Sequence, residues 1–459
     1  MSIETPSDDR GGALSKGKFV TGSLRRHILA MTGAGALGLV AIFVGDLANI
    51  FFLSMLDDVA IVAAVGYASS LLFIMIAVSI GLSIGASAVI SPELGRGDRD
   101  EARRLAVHAA ILSGLVSVTV ALSVAPFVPT LLGVLGADGR ALSLGSDYTR
   151  LLLISMPMLT MAIMMGAILR SVGDARRAMY VTLSVAFVNV VLDPILILYL
   201  DYGLFGAAAA TTVSRCVGMG VGLYGAIVVH DLIGKPEPAR LAEDAVRLGR
   251  VGVPAVATNL ATPFGQAYVT GAIAAYGDAA VAGWALVGRL LPVAFGAIFA
   301  LTGAVGPIIG QNFGVADRAR MREAVIESVR VTVGFTLIAW ALLALFAEPI
   351  AAAFRAEGET AELVLLFCRW LAPLFAFLGA MFVSNAVFNA LGKPHVSALI
   401  NWSRATVSTI PIVIVLSGLF GAAGVLTGFL AGAIPVGIFA VWFALRAVDA
   451  IDLSGRTNV

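Results

Sequence analysis

Two acidic side chains stand where acids are seldom found. Asp46 and Asp193 each lie inside a long apolar run, and burial there favours the neutral carboxyl over the charged one. Asn189 precedes Asp193 by four residues, so on a helix its amide and the carboxylate share a face. Pro194 follows at once; lacking an N–H, it frees a backbone carbonyl and invites a bend. In the next run Thr211 ends the stretch Gly206-Ala-Ala-Ala-Ala-Thr211, whose small residues allow close helix packing. Two carboxylates, an amide and a hydroxyl around one polar cavity can hold a proton or a Na⁺ ion.

The elements that position them follow from composition. The chain has 459 residues, 59% apolar and 13% charged, with a mean hydropathy of +0.96, whereas soluble domains carry about 25% charge. A soluble globular protein is excluded. At about 20 residues per crossing, twelve apolar runs separated by short loops lie between residues 28 and 446. Residues 1–27 read as a disordered arm and residues 447–459 as a polar tail. Twelve crossings place both termini on one side. The basic residues of 91–104, 170–177, 231–250, 311–322 and 391–404 fall on that side, while the opposite loops hold Arg140, Arg150, Arg355 and Arg369. The positive-inside rule therefore makes both termini cytoplasmic, in a multi-pass plasma (inner) membrane protein. A net charge of +1 gives no reason to expect a nucleic-acid partner.

The chain repeats itself. Ile90-Ser-Pro-Glu-Leu-Gly95-Arg-Gly-Asp98-Arg99, continuing to Arg103, matches Ile309-Gly-Gln-Asn-Phe-Gly314-Val-Ala-Asp317-Arg318, continuing to Arg322, at a constant spacing; Ala167 and Gly173 recur as Ala386 and Gly392. With one residue of slippage, Gly45 pairs with Gly265 and Asp58 with Asp278. Six spans separate equivalent positions, so the expected architecture is all-α: two six-helix lobes related by a parallel pseudo-two-fold axis around a central cleft. The lobes are 28–230 and 248–446, joined by a cytoplasmic linker at 231–247. Opposite Asp46 the second half has Gln266, and opposite Asp193 it has Ile412, so only the first lobe is equipped for cation coupling. Arg215 and Arg289 also lie within spans, as structural ion pairs or as parts of a transport path; Arg330, near a span end, can snorkel to the interface.

Enzyme signals dissolve on inspection. Gly81-Leu-Ser83-Ile-Gly85 fits the nucleophile pattern G-x-S-x-G but lies in a helical run, not at a strand-to-helix elbow. The four histidines are scattered, Cys216 and Cys368 sit in apolar runs, and no phosphate-binding loop is present. No catalytic residue, resident metal or cofactor is expected, and gradient-driven transport remains.

Together these residues resemble the multidrug and toxic compound extrusion (MATE) transporters from about residue 25 to 446. The resemblance is carried by Pro307-Ile-Ile-Gly310-Gln311-Asn312-Phe-Gly314 with Arg318, Arg320 and Arg322, by Gly288-Arg289, by Gly95-Arg-Gly-Asp98, and by Asn189-Val-Val-Leu-Asp193-Pro194. It implies an alternating-access efflux antiporter whose cation-coupling positions are Asp46, Asn189, Asp193 and Thr211. The seventh span lacks a glutamate and the tenth an aspartate, which is similar to the DinF-like branch and implies H⁺ coupling, with Na⁺ at the same four residues as the alternative. The implied substrates are small amphipathic or cationic organic compounds, carried by a monomer among membrane lipids without a cofactor. A flippase for lipid-linked precursors, from the same superfamily, is the other reading; it would be expected to have a more basic central cavity.

Overall fold

The structure, a computed structural model, describes residues 17–56 and 58–451, and those residues contain helices and no strand. Residues 1–16 of the expected arm and 452–459 of the expected tail lie outside the described residues. The first lobe comprises α1 (Leu24–Ser54), α2 (Val59–Arg96), α3 (Arg99–Val134), α4 (Gly139–Ile154 and Met156–Val172, bent by 49°), α5 (Ala175–Tyr199) and α6 (Gly203–Val229). The second comprises α7 (Pro238–Ala274), α8 (Asp278–Gly314), α9 (Arg318–Leu345), α10 (Gly358–Ala390), α11 (394–420) and α12 (422–449). The last two lie in one stretch, Pro394–Asp449, that reverses at Gly421 (φ 59, ψ −137) and is interrupted by a single turn residue at Gly432. A φ in that range favours glycine.

Two sequence expectations shift. Residues 17–27, read as part of a disordered arm, are ordered: Lys18–Val20 form a 3₁₀ turn, Phe19 is buried, and Ser23 caps α1 by accepting from Arg26 N–H. Most of the expected linker 231–247 is helix, because α7 begins at Pro238, where proline suits a first turn.

The repeat is a clasp built twice. Gly97 ends α2 in the left-handed conformation (φ 85), and its counterpart Ala316 adopts the same conformation (φ 58). Asp98 then caps α3 through Glu101 N–H at 3.0 Å, and Asp317 caps α9 through Arg320 N–H at 2.9 Å. Arg99 donates to the His230 carbonyl just past α6, and Arg318 to the Ile451 carbonyl just past α12. Arg103 pairs with Asp231 at 2.9 Å and Arg322 with Asp449 at 3.7 Å. In each lobe the turn after the second helix is thus tied to the end of the sixth.

The two glycines of the repeat have a different task. A Cβ on Gly95 would collide with the Gln311 carbonyl oxygen, and a Cβ on Gly314 with the Pro92 carbonyl oxygen, while a Cβ on Gly310 would meet Ser91 Cβ at 2.7 Å. Since Pro92 and Gln311, and Ser91 and Gly310, are repeat partners, α2 and α8 cross on the pseudo-axis itself. This crossing lies at the face that carries both described chain ends. Around it, Gln311 accepts from Phe19 N–H at 2.8 Å and donates to the Ser171 carbonyl at 2.7 Å. Asp244 of α7 takes Arg104 Nε at 3.1 Å and His108 Nδ1 at 2.6 Å. His108 Nε2 accepts from Glu237 N–H at 3.0 Å, which assigns the ring proton to Nδ1. Arg247 bridges Glu93 and Glu101. Among the described residues, interlobe hydrogen bonds and ion pairs lie at this terminal face and none joins the outer helix ends.

Two predictions follow from this face. Gly95→Ala and Gly314→Ala should each lower stability by about 1–3 kcal/mol through overpacking, read as a drop in thermal unfolding midpoint. Gly249→Ala, where a Cβ meets nothing within 4 Å, should hold or slightly raise the midpoint because alanine favours the helix; equal drops in all three would discard the crossing as a constraint. In the α4–α5 turn, burial raises the Asp174 pKa, but bonds from the His230 ring and from the Arg177 backbone and guanidinium outweigh it and hold the carboxyl at about 2 against an ordinary 3.8. A depressed folded-state value means the stabilisation is complete above the unfolded value and is lost as pH falls through that window to about 2. Acid titration of unfolding should show this loss in wild type and a weaker one in Asp174→Asn.

Candidate functional site

The acid pocket is assembled by three helices of the first lobe. The face of α1 carrying Gly38 and Gly45 lies against α5, with Gly45 on Ala186 at 3.7 Å from its built Cβ. Asp193 is fully buried, and its Oδ2 accepts from Asn49 Nδ2 at 2.9 Å. Its other oxygen, Oδ1, is buried without a partner, and so is Oδ1 of Asn189, one turn earlier on α5. Just past Asp193 the α-helix gives way at Pro194 to a π turn, Ile195–Tyr199, a local widening that frequently accompanies functional sites. Gly206 of α6 sits directly on the Leu196 carbonyl, so the small-residue stretch lets α6 press against the widened turn.

Asp46 lies one turn before Asn49 on α1, accessible rather than buried, and is within electrostatic reach of Asp193, Arg215 and Tyr148. Neither acid makes a salt bridge among the described residues. Thr211 is partly buried on α6, which packs against α5, but no hydrogen bond joins its hydroxyl to the acids. The structure therefore brings Asp193, Asn189 and Asp46 to one region and adds Asn49, which the sequence reading missed. Its signal was present: a buried amide three residues after Asp46 occupies the same helical face.

The other intramembrane candidates separate by environment. Arg215 is buried and donates to Ser155 Oγ at 2.8 Å and to the Leu152 carbonyl at 3.3 Å. Both acceptors are at the break in α4, where the interrupted helix leaves carbonyls needing donors. Arg215 thus braces the bend in α4 beside the pocket. Gln266 and Arg289 are exposed, and Arg330 pairs with Glu327 at 2.5 Å. Ser83 is buried within α2 and donates to the Ile80 carbonyl at 2.8 Å, as a helix residue and not at an elbow. Cys216 and Cys368 are unpaired with each other.

Comparison with known proteins decides the family. The MatE family model matches residues 36–195 and 254–415, one block in each lobe. The chain belongs to the MATE family. It is 27% identical to an FAD transporter of Shewanella oneidensis, covering 96% of this chain and 98% of that one. It is 24% identical to the multidrug export protein MepA of Staphylococcus aureus, covering 83% and 85%. Among solved structures, a mutant of the Vibrio cholerae MATE transporter VcmN superposes with a TM-score of 0.89 at 27% identity, covering 94% of this chain and 98% of that one. An outward-facing multidrug resistance MATE transporter superposes at 0.88 and 24% identity, covering 95% and 98%. As a MATE protein the chain is a multi-pass membrane transporter and not an enzyme, with twelve helices in two lobes.

The division of labour among the arginines is testable in this MATE chain. Arg215→Met takes away the donor to the Ser155 hydroxyl, which itself donates to the Leu152 carbonyl at 2.9 Å, and leaves a gap at the bend, so stability should fall by about 1–3 kcal/mol. Arg289→Ala should change it little. Thermal unfolding in detergent separates the two, and an unaltered midpoint for Arg215→Met would remove its bracing role.

Proposed function

We propose that this protein is an H⁺-coupled antiporter that expels organic compounds by alternating access, with Asp193 and Asp46 as the proton-carrying groups. The observation that supports it is the pair of buried, unpartnered acceptors, Asp193 Oδ1 and Asn189 Oδ1. Two acceptor oxygens with no donor are costly in a membrane interior unless a proton or cation joins them. A single proton satisfies that need. Na⁺ asks for a shell of oxygens, and here Asn49 turns its amide nitrogen, not its oxygen, toward Asp193; a nitrogen donor repels a cation. That orientation favours H⁺ over Na⁺ at Asp46, Asn189, Asp193 and Thr211.

In the proposed cycle both termini are cytoplasmic, so the clasped face is the inner gate and the cleft faces outward. A proton entering from outside neutralises the acids, the outer part of the first lobe rearranges about Pro194, and substrate leaves. Protonation drives this only because the charged and neutral pocket prefer different conformations. The relatives named above, a multidrug exporter and an FAD transporter, both point to organic substrates, the second to one bearing phosphates.

Proteoliposomes loaded with ethidium and given either a pH gradient or a Na⁺ gradient test this reading. The pH gradient alone should drive transport in wild type, and Asp193→Asn and Asp46→Asn should each reduce it at least tenfold while remaining folded in the bilayer. Transport driven by Na⁺ alone would transfer the role to that ion, and near-normal rates in either variant would release that acid from it.

A further inference from the structure

The second lobe holds a buried charge of the opposite sign. Arg404 reads in sequence as the end of a cytoplasmic loop, but it lies ten residues into α11, about 15 Å along the helix from Pro394. Its guanidinium does not reach back to that end. Nη2 approaches to 3.7 Å from a Cβ built on Gly265 of α7, and Cζ lies 5.8 Å from the centre of the Phe429 ring on α12. Gly265 is about 15 Å, by helix rise, from the outer end of α7, so the charge sits near mid-membrane. Arg404 is 2% exposed, and Nε is buried without a hydrogen-bond partner. No carboxylate, carbonyl or hydroxyl among the described residues pairs with it; Phe429 is its one charge-stabilising neighbour. Thr409 Oγ1, further out on the same helix, is a second buried polar atom without a partner.

The internal repeat says what this place is. Gly265 rests on Ala405 as its repeat partner Gly45 rests on Ala186. At the outer turn Gly424 rests on the Leu416 carbonyl as Gly206 rests on that of Leu196. Carrying these two contacts along the helices places Gln266 opposite Asp46 and Phe429 opposite Thr211. On α11 Arg404 itself matches Val185, two turns inward of Ile412, the counterpart of Asp193, but its guanidinium reaches, between α7, α11 and α12, the neighbourhood of the counterparts of Asp46 and Thr211. An arginine stays charged at any working pH, so buried surroundings that offer it no acceptor leave that charge to be met by an anion. Phe429 at the guanidinium, with the Phe264–Trp402 ring pair 5.3 Å apart on the neighbouring surfaces of α7 and α11, adds aromatic faces.

We infer that Arg404 is the binding group for the oxyanion, phosphate or carboxylate, of an aromatic organic anion carried by the second lobe. This rests on the export reading above for its physiological sense, but binding is measured without any ion gradient. The probes are riboflavin and riboflavin 5′-phosphate, one ring system with and without an oxyanion, titrated by flavin fluorescence against the purified full-length protein. Wild type should bind the phosphorylated flavin at least tenfold more tightly than riboflavin, and more tightly than it binds inorganic phosphate as a competitor. Arg404→Gln should bring the two flavins to equal affinity, and Arg404→Lys should keep part of the difference. A structural arginine would not produce that pattern. Equal binding of the two flavins by wild type overturns the inference even if Arg404→Gln fails to fold. So does undiminished discrimination in a folded Arg404→Gln, and inorganic phosphate binding as tightly as the flavin phosphate overturns the aromatic part. If ethidium efflux proves not to be proton-coupled while the flavins are still discriminated, the coupling reading falls alone.

Discussion

Everything else in the molecule is arranged around the crossing of α2 and α8. Two helices can meet on a pseudo-two-fold axis at backbone distance only if both omit side chains at the same place, and Gly95 and Gly314 do so. The close approach brings carbonyl to Cα, so the contact is geometric and leaves little tolerance for altered register. Once it is fixed, the following turn has one path. Gly97 and Ala316 take the left-handed conformation, Asp98 and Asp317 cap the next helix, and Arg99 and Arg318 reach the end of each lobe's last helix. The N-terminal turn then seals the crossing by seating Phe19 and bonding to Gln311.

A shared scaffold makes the chemical difference between the lobes meaningful. Pseudo-equivalent pockets pack through the same glycine–alanine contacts, yet one leaves carboxylate and amide oxygens unmet and the other leaves a guanidinium unmet. Other buried side-chain atoms, among them Thr32 Oγ1, Ser328 Oγ and Asn389 Oδ1, also lack partners; what sets these two places apart is that the unmet group is ionisable. Under the readings proposed above, the first lobe would take the coupling cation and the second an anionic group, so coupling ion and cargo would not compete for one place.

Much of this was legible in the sequence, and the exceptions have physical causes. The repeat, the helix count and the acids were visible because helical period and charge against an apolar background are strong local signals. Pro394–Asp449 reads as two crossings although helix runs directly up to and on from the reversal, because the turn at Gly421 is a single glycine of positive φ. Arg404 was hidden by the same reasoning that made the topology clear: a basic residue near Lys393 counts as loop in any charge census, and only packing reveals that it points inward. Arg170, counted with the same kind of loop, also lies inside a helix, α4, with its guanidinium beside Gly303 of the other lobe. Asn49 was missed because an amide in an apolar run carries no charge to mark it. Thr211 belongs to the expected pocket by its place on the following helix and by the family resemblance, and neither fixes the direction of its hydroxyl.

The packing also bears on which lobe moves. Buried apolar side chains of the second lobe form one continuous core, from Val269 and Trp284 through Phe388 to Val448. Those of the first lobe fall chiefly into two bodies, an outer one around Leu53, Leu132 and Ile197 and an inner one around Ile90, Leu105 and Ile168. Between them runs a polar layer: Ser79 to Thr160 at 2.8 Å, Thr160 to Ser117 at 2.9 Å, and Arg215 at the break in α4. Hydrogen bonds between hydroxyls can exchange partners, whereas interlocked aliphatic side chains resist sliding. The outer body carries the π turn after Asp193, and the inner body is held to the second lobe at the crossing. The α1 helix links the outer body, through Leu53, to the core of the second lobe, through Leu24, Ile28 and Met31, and is packed on Ala300 of α8 at Gly35 and on α5 at Gly45. A charge change at Asp193 and Asp46 would therefore act beside the polar layer that divides the first lobe, through a helix whose other end already touches the second lobe.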